Sequence, residues 1–190
     1  MIFLGLMSTD QAKLNRKEKI SIDERLFAQI AIGNYDALES LYCSTDKAVF
    51  GYVLSILGNK QDAEDVMQET YIRIRAAAHL YQPKGKPLAW IFTIAKNLCL
   101  IKLRTNRRIR YSSYEELEDH PDFSVCTNYE DRIVLEKAFQ ILREDERKII
   151  ILHAITGLKH REIAEILEIP LSTVLSKYTR GLNKLKRHLT

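Results

Sequence analysis

The chain has few cysteines, glycines and prolines, and this excludes several classes of protein. Of its 190 residues, 3 are cysteine, 7 are glycine and 4 are proline. Cys43, Cys99 and Cys126 are odd in number, far apart and without CxxC or Cys/His spacing, which argues against a disulfide framework and for a reducing compartment. There is no glycine-rich phosphate loop, paired His/Cys ligand set or GxSxG motif, so we expect no enzyme, no metal and no cofactor.

Long apolar runs are also missing. The opening stretch MIFLGLM falls well short of the roughly 18 apolar residues that span a bilayer. It also lacks the basic start of a signal peptide. We therefore expect a cytoplasmic protein with no membrane insertion, in which residues 1–20 form a disordered tail and translation starts at Met1 or Met7.

Helical periodicity dominates what is present, and no segment alternates apolar and polar residues as a strand does. The stretch SIDERLFAQIAIGN begins with a capping box, formed by Ser21 and by Glu24 three residues later, and stops at Gly33. Three more helices are predicted in this half: one ends at Gly58, one runs over about Asp62–Leu80, and one begins at Pro87, which suits a first helical turn.

The charge of the chain changes near its middle. From Tyr111 to Glu146, acidic residues far outnumber Lys and Arg, and SSYEELEDHPD has no apolar period. Residues 111–128 are therefore predicted to form an acidic flexible linker. Helices follow near 130–142 and 145–154. The predicted fold is all-α, with two small helical domains at residues 21–110 and 129–190.

Two helical patterns separated by Pro170 close the chain, and only the second is free of acidic residues. Its apolar residues share one face, and its basic and hydroxyl-bearing residues share the opposite face. A basic helix after a tight turn is typical of a helix-turn-helix that enters the major groove of DNA. A solvated helix in a bundle is the alternative. The apolar set is Val174, Tyr178, Leu182, Leu185 and Leu189; the opposite set is Thr173, Ser176, Lys177, Arg180, Lys184 and Arg187.

The stretch DAEDVMQETYIRI predicts a helix with an apolar inward stripe and an acidic outward face. Ile72 lies on the outward face among carboxylates and an amide. An apolar centre with a polar rim is typical of a protein-docking patch. A solvated face with one exposed isoleucine is the alternative.

The stretch PLAWIFTIAKNLCLIKLRTNRRIR mixes aromatic residues with cations. Bases stack on aromatic rings and phosphates pair with Lys or Arg, so this mixture suits single-stranded nucleic acid. Trp90 as an ordinary core residue is the alternative. The basic tail has no acidic residue beside it in the sequence, which favours an anionic partner.

The order of these motifs resembles the extracytoplasmic-function group of sigma-70-type RNA polymerase sigma factors. The resemblance rests on DAEDVMQETYIRI, then WIFTIAKN with its basic tail, then REDERKIIILHAITGLKHREIAEILEIPLSTVLSK, and spans about Ser21 to Leu189 apart from the linker. It implies a region 2-like domain, a region 4-like domain and a subunit that directs promoter-specific transcription initiation. Its partners would be promoter DNA, the clamp of the largest core polymerase subunit and the flap of the second largest. An anti-sigma factor is a further candidate partner.

The resemblance also implies three sets of site residues. Core polymerase would be bound by Asp62, Asp65, Gln68, Glu69 and Ile72. The −10 element would be melted and read by Trp90, Lys96, Asn97, Arg104, Arg107 and Arg108. The −35 element would be read by Ser172, Thr173, Leu175, Ser176, Lys177, Arg180, Lys184 and Arg187.

Three positions depart from the family pattern. The family often has glycine where Glu168 stands, Lys-Ser-Arg at residues 175–177, and aspartate where Ile101 stands. The competing interpretation is a one-component transcriptional regulator, with an N-terminal sensing domain and a terminal helix-turn-helix that binds DNA without core polymerase.

Overall fold

The computed structural model describes residues 20–112 and 141–189, and in these ranges the chain forms α-helices and one 3-10 turn, without a strand. The all-α prediction is confirmed. Almost all of the predicted tail and linker and most of the helix near 130–142 lie outside the described residues. The helices are α1 (Arg25–Ala31), α2 (Tyr35–Leu57), α3 (Lys60–Ala77), α4 (Pro87–Ser112), α5 (Glu144–Thr156), α6 (His160–Leu167) and α7 (Leu171–Leu189), with the 3-10 turn at Ala78–Leu80.

Several helix boundaries follow from local chemistry. Gly58 ends α2 with a left-handed backbone at φ +70°, which costs a glycine little. Asn59 then caps α3, because its side chain accepts a hydrogen bond from the Asp62 N–H at 2.9 Å. Pro87 is the first residue of α4, as predicted, and that helix continues to Ser112, past the predicted start of the linker.

The predicted capping box at Ser21 and Glu24 is wrong. Helix α1 begins only at Arg25, and its N-cap residue Glu24 makes no side-chain capping hydrogen bond. The Glu24 carboxylate instead accepts hydrogen bonds from the Tyr81 hydroxyl and from the Gly85 N–H. These partners are far away in sequence and bind the start of α1 to the loop before α4, so a distant contact replaced the local one.

The helices of the two halves share one hydrophobic core. Helix α5 packs against α2, and α6 packs against α4. Buried residues from all of these helices belong to one contiguous cluster; its most enclosed members include Leu41, Tyr52, Leu54, Ile74, Ile91, Phe92, Ile149, Leu152 and Ile163.

Helix α5 is covered on every side. Ile149, Ile150, Ile151 and Leu152 follow one another, and each is at most 3% exposed. Four consecutive residues point around most of a helix, so burying all of them takes neighbours on all sides. Those neighbours are α2 from the first half and α6 and α7 from the second.

Candidate protein and nucleic-acid interfaces

Helices α6 and α7 form the predicted helix-turn-helix. The turn between them is short and ends at Pro170, whose carbonyl accepts a hydrogen bond from the Thr173 N–H at 2.9 Å. Ile163, Ile166 and Val174 are buried where the two helices meet. The turn and these contacts fix the direction in which α7 leaves the domain.

The outward face of α7 carries polar and basic side chains. Of the predicted −35 residues, Ser172, Leu175, Ser176, Arg180 and Arg187 are exposed, and Thr173 is half-buried. Leu175 is 45% exposed, which is high for a leucine. Sequence reasoning omitted three exposed residues of α7: Thr179, Asn183 and Lys186.

Lys177 and Lys184 differ from the other basic residues of α7. They lie at the edge of its outward face and bind carboxylates of α5. The Lys177 ammonium lies 2.5 Å from an Asp145 oxygen, and the Lys184 ammonium lies 2.6 Å from a Glu146 oxygen. The sequence prediction placed both lysines on the outward face with the other −35 residues and did not anticipate these partners. Helical periodicity gives the face of a residue, but not the acid on a neighbouring helix.

Glu146 is a nearly buried carboxylate that depends on these contacts. Glu146 as a whole residue is 2% exposed. Burial alone raises the pKa of its carboxyl, but hydrogen bonds from Lys184 and from the Arg143 N–H outweigh burial and hold the pKa below the usual 4.5. A carboxyl with a lowered pKa in the folded state stabilises the fold above its unfolded pKa. That stability is lost as the pH falls through the folded pKa.

Replacing Lys184 by methionine is therefore expected to lower the free energy of unfolding at pH 7 by about 2 kcal/mol, since a nearly buried carboxylate loses a charged hydrogen-bond partner. With Lys184 gone, burial raises the pKa of Glu146, and the loss of stability below about pH 4.5 should become shallower than in wild type. Urea denaturation at a series of pH values measures both effects. Lys177→Met is the matched control, and it should cost less than about 1 kcal/mol because its partner Asp145 is 62% exposed. Equal stability of the two variants at every pH would contradict this account.

Helix α4 presents a mixed apolar and cationic face. Asn97, Arg104 and Arg107 of the predicted −10 set are exposed, and the side chain of Arg108 lies outside the described residues. Leu100 and Ile101 lie on the same helical face and are 38% and 56% exposed. Sequence reasoning did not select these two, although exposed aliphatic side chains beside cations are suited to contact unstacked bases.

Trp90 and Lys96 of the predicted −10 set are less exposed than the others. Trp90 is half-buried, and its ring packs edge-on against Phe27 and Tyr81 with centroids 5.2 and 5.3 Å apart. Lys96 is only 8% exposed. Its ammonium lies 2.6 Å from a carboxylate oxygen of Glu168, in the turn after α6. Trp90 therefore belongs to an aromatic cluster at the edge of the core, and Lys96 lies under the second half of the chain.

Helix α3 presents the predicted docking patch. Ile72 is 61% exposed, one turn beyond Gln68, which is also exposed. The Glu69 carboxylate accepts a hydrogen bond from Arg73 at 2.7 Å. Of the predicted inward stripe, Ala63, Val66, Thr70 and Ile74 are each at most 5% exposed, and Met67 is half-buried.

Two carboxylates of the predicted docking set also connect α3 to α4. The Lys102 ammonium lies 2.8 Å from Asp62 and 3.2 Å from Asp65. The Asn106 amide also donates to Asp62 at 2.7 Å. The hydrogen bond to Asp62 raises the pKa of Lys102 despite partial burial. Asp62 thus fixes α3 against α4, whereas Asp65 keeps 58% of its side-chain surface exposed.

No helix in residues 20–112 or 141–189 has the length and apolar character needed to cross a bilayer.

Comparison with known proteins identifies the family. Residues 41–109 match sigma-70 region 2, and residues 132–185 match sigma-70, region 4. The chain is 30% identical over 172 residues to the ECF RNA polymerase sigma factor SigK of Mycobacterium sp. (strain KMS), an alignment that covers 86% of this chain and 89% of SigK.

Two solved structures have a similar fold. CnrH, in complex with the cytosolic domain of CnrY, aligns over 88% of this chain and 96% of its own, with a TM-score of 0.64 and 24% identity. The sigma factor RpoE, in complex with the anti-sigma factor NepR from Bartonella quintana, aligns over 80% and 95%, with the same TM-score and identity. Together with the region 2 and region 4 matches, the sequence relatives show that the chain belongs to the extracytoplasmic-function group of the sigma-70 family, the RNA polymerase sigma factors that direct promoter-specific transcription initiation.

Proposed function

We propose that three surfaces of this chain, on α3, α4 and α7, each carry out one part of the function of a sigma factor. The patch around Ile72 on α3 docks on core polymerase, the exposed face of α4 holds the melted −10 element, and the outward face of α7 reads the −35 element. The observation that carries the proposal is the acid-free outward face of α7, which follows a tight turn and presents Ser176 and Arg180 to solvent. The protein acts as a non-enzymatic subunit in the cytoplasm, where its polymerase and promoters are.

The docking role follows from the composition of the α3 patch. Ile72 provides an exposed apolar centre, and Asp65, Gln68 and Glu69 provide a polar rim on one side of it. Apolar centres with polar rims are the usual arrangement of interface hot spots. We propose that the clamp of the largest polymerase subunit covers Ile72.

The −10 role falls to Asn97, Arg104 and Arg107, which lie exposed on α4 beside Leu100 and Ile101. The cations pair with phosphates, and the aliphatic side chains contact bases that have left the stack. Lys96 joins them when Glu168 releases it. Because Trp90 is half-buried in the aromatic cluster, we propose that its main task is to hold the start of α4.

The residues of α7 that read the −35 element fall into two groups along the helix. Residues 172–180 lie in the first turns, where the base edges of the major groove are within reach, and Arg187 lies further along, where phosphates are closer. Leu175 suits the methyl group of a thymine. We propose that Lys177 and Lys184 chiefly hold α7 against α5.

Two further partners complete the proposal. The acidic linker predicted at residues 111–128 follows the path of nucleic acid in the polymerase cleft, and the second domain contacts the flap of the second-largest subunit. RpoE was solved with an anti-sigma factor. An anti-sigma factor is therefore a candidate regulator of this chain as well.

Replacing Arg180 by alanine is expected to relax the preference at particular −35 positions by about 1–3 kcal/mol, the value of a good base contact. Arg187→Ala should instead weaken all promoters alike and reduce the salt dependence by roughly one phosphate contact. The measurement is a −35 selection profile for each variant in holoenzyme, repeated at two salt concentrations. If both variants kept the wild-type profile and wild-type activity, α7 would be an ordinary solvated helix.

A further inference from the structure

The helix-turn-helix packs against α4, and an ion pair joins the two. The Lys96 ammonium of α4 lies 2.6 Å from the Glu168 carboxylate; the side chain of Lys96 is 10% exposed, and that of Glu168 is 77% exposed. A second pair, Lys86 with Glu165 at 2.8 Å, joins the residue before α4 to α6, but about half of each of its side chains is exposed. Only the first pair therefore removes a cation of α4 from solvent.

Glu168 has an unusual backbone for its side chain. Among the described residues, it is the one non-glycine residue with positive φ, at +57°. The left-handed region favours glycine or asparagine and disfavours a glutamate. Residues kept in a disfavoured conformation often have a role beyond the local fold. Here the glutamate places its carboxylate on Lys96, a contact that glycine cannot make.

The closed arrangement is incompatible with reading both promoter elements at once. The −10 and −35 elements are about 25 base pairs apart, which is about 85 Å of duplex. A compact chain of 190 residues has a radius of gyration of only about 16 Å. The two halves must therefore separate before α4 and α7 can both engage a promoter.

We propose that the Glu168–Lys96 ion pair is an autoinhibitory latch, in which the Glu168 carboxylate occupies Lys96 in place of a promoter phosphate and holds the two halves together. The inference rests on the proposed DNA-binding role of α4. When the halves separate, the same step frees Lys96 for the −10 element and frees the helix-turn-helix to reach the −35 element. While the Glu168–Lys96 pair is intact, the free protein therefore binds promoter DNA weakly.

The chain contains a natural reporter of opening that needs neither DNA nor polymerase. Cys99 lies on α4 and is fully buried, and the cation of Lys148 on α5 partly offsets the effect of burial on the pKa of its thiol. Burial raises the pKa of its thiol to about 12, so it reacts slowly in the closed state. Its reaction with a thiol reagent should follow the fraction of open molecules once Cys43 and Cys126 are replaced by serine.

In that background, Glu168→Gln is expected to raise the reaction rate of Cys99 about tenfold, because the nearly buried Lys96 loses its charged hydrogen-bond partner. Glu165→Gln, which removes the same charge from the more exposed lysine of the neighbouring pair, should change the rate less than twofold. Glu168→Gly should match Glu168→Gln in rate without a lower melting temperature, because glycine suits the backbone at this position. Equal rates for Glu168→Gln and Glu165→Gln would overturn the latch.

A second measurement tests the autoinhibition itself. Free Glu168→Gln protein should bind a single-stranded −10 oligonucleotide about tenfold more tightly than wild type, while Glu165→Gln should not. Faster Cys99 reaction without tighter DNA binding would show that the pair closes the halves but masks no DNA site, and it would overturn the proposal. Failure of the proposed function is distinguishable, because the wild-type chain would then give no promoter-directed transcript with core polymerase.

Discussion

Replacing Ile72 by arginine is expected to abolish assembly with core polymerase while leaving the fold intact. Ile72 is 61% exposed, so the arginine meets water in the free protein and costs it little. In the complex, an unpaired charge would be forced into the apolar centre of the interface. Losing such a hot spot costs about 4 kcal/mol, which is roughly a thousandfold in affinity.

The measurement is co-purification of core polymerase with each variant, followed by a titration of binding. Ile32→Arg is the matched control, because Ile32 is 85% exposed on the same half of the chain and lies outside the proposed docking patch. It should bind core polymerase as wild type does. An Ile72→Arg protein that co-purified normally with core polymerase would remove α3 from the interface.

The second large effect is expected at the −10 helix. Replacing Lys96 and Arg104 by alanine together should reduce open-complex formation on a duplex promoter about a hundredfold, as two charged contacts are lost. Both proteins compared should carry Glu168→Gln, because Lys96→Ala would otherwise also break the latch. A promoter with a pre-melted bubble should rescue part of the loss, since its bases are already unpaired.

A control must show that the loss is specific to α4. Arg25→Ala with Lys47→Ala removes two exposed cations from α1 and α2 and should leave open-complex formation within about twofold of its parent. The yield of open complexes can be followed by permanganate reactivity of unpaired thymines. Equal losses on the duplex and on the bubble would indicate that Lys96 and Arg104 act before melting, in folding or in docking.

Much of the helical plan could be predicted because its signals are local. Gly58 and Pro87 mark boundaries through their own backbone preferences, and both are found where the sequence placed them. Pro170 likewise divides α6 from α7. The buried stripe of α3 follows from helical periodicity alone. These features depend on residues within a turn or two of each other.

The errors arise where a distant partner decides the outcome. Glu24 bonds to Tyr81 and Gly85 rather than capping its own helix, and Lys184 binds Glu146 on another helix. Composition identified these residues as polar, but it contains no information about which partner a polar group meets in the fold.

The packing of the two halves was also beyond the sequence interpretation, although one signal was present. Four consecutive apolar residues, Ile149 to Leu152, exceed what a helix in a small two-sided domain buries. Their full burial against α2, α6 and α7 explains the run. Consecutive apolar residues that face all sides of a helix thus indicate that other helices pack on every side of it.

The most direct test of the central claim is run-off transcription with purified core polymerase on a library of promoters that varies the −10 and −35 elements. The account predicts transcripts only when the chain is added, from a narrow set of templates that shares both elements at one spacing. It also predicts that Ile72→Arg abolishes every transcript and that Arg180→Ala changes which −35 elements are selected. Tight binding of the free chain to duplex promoters, without any promoter-directed transcript when core polymerase is present, would contradict it.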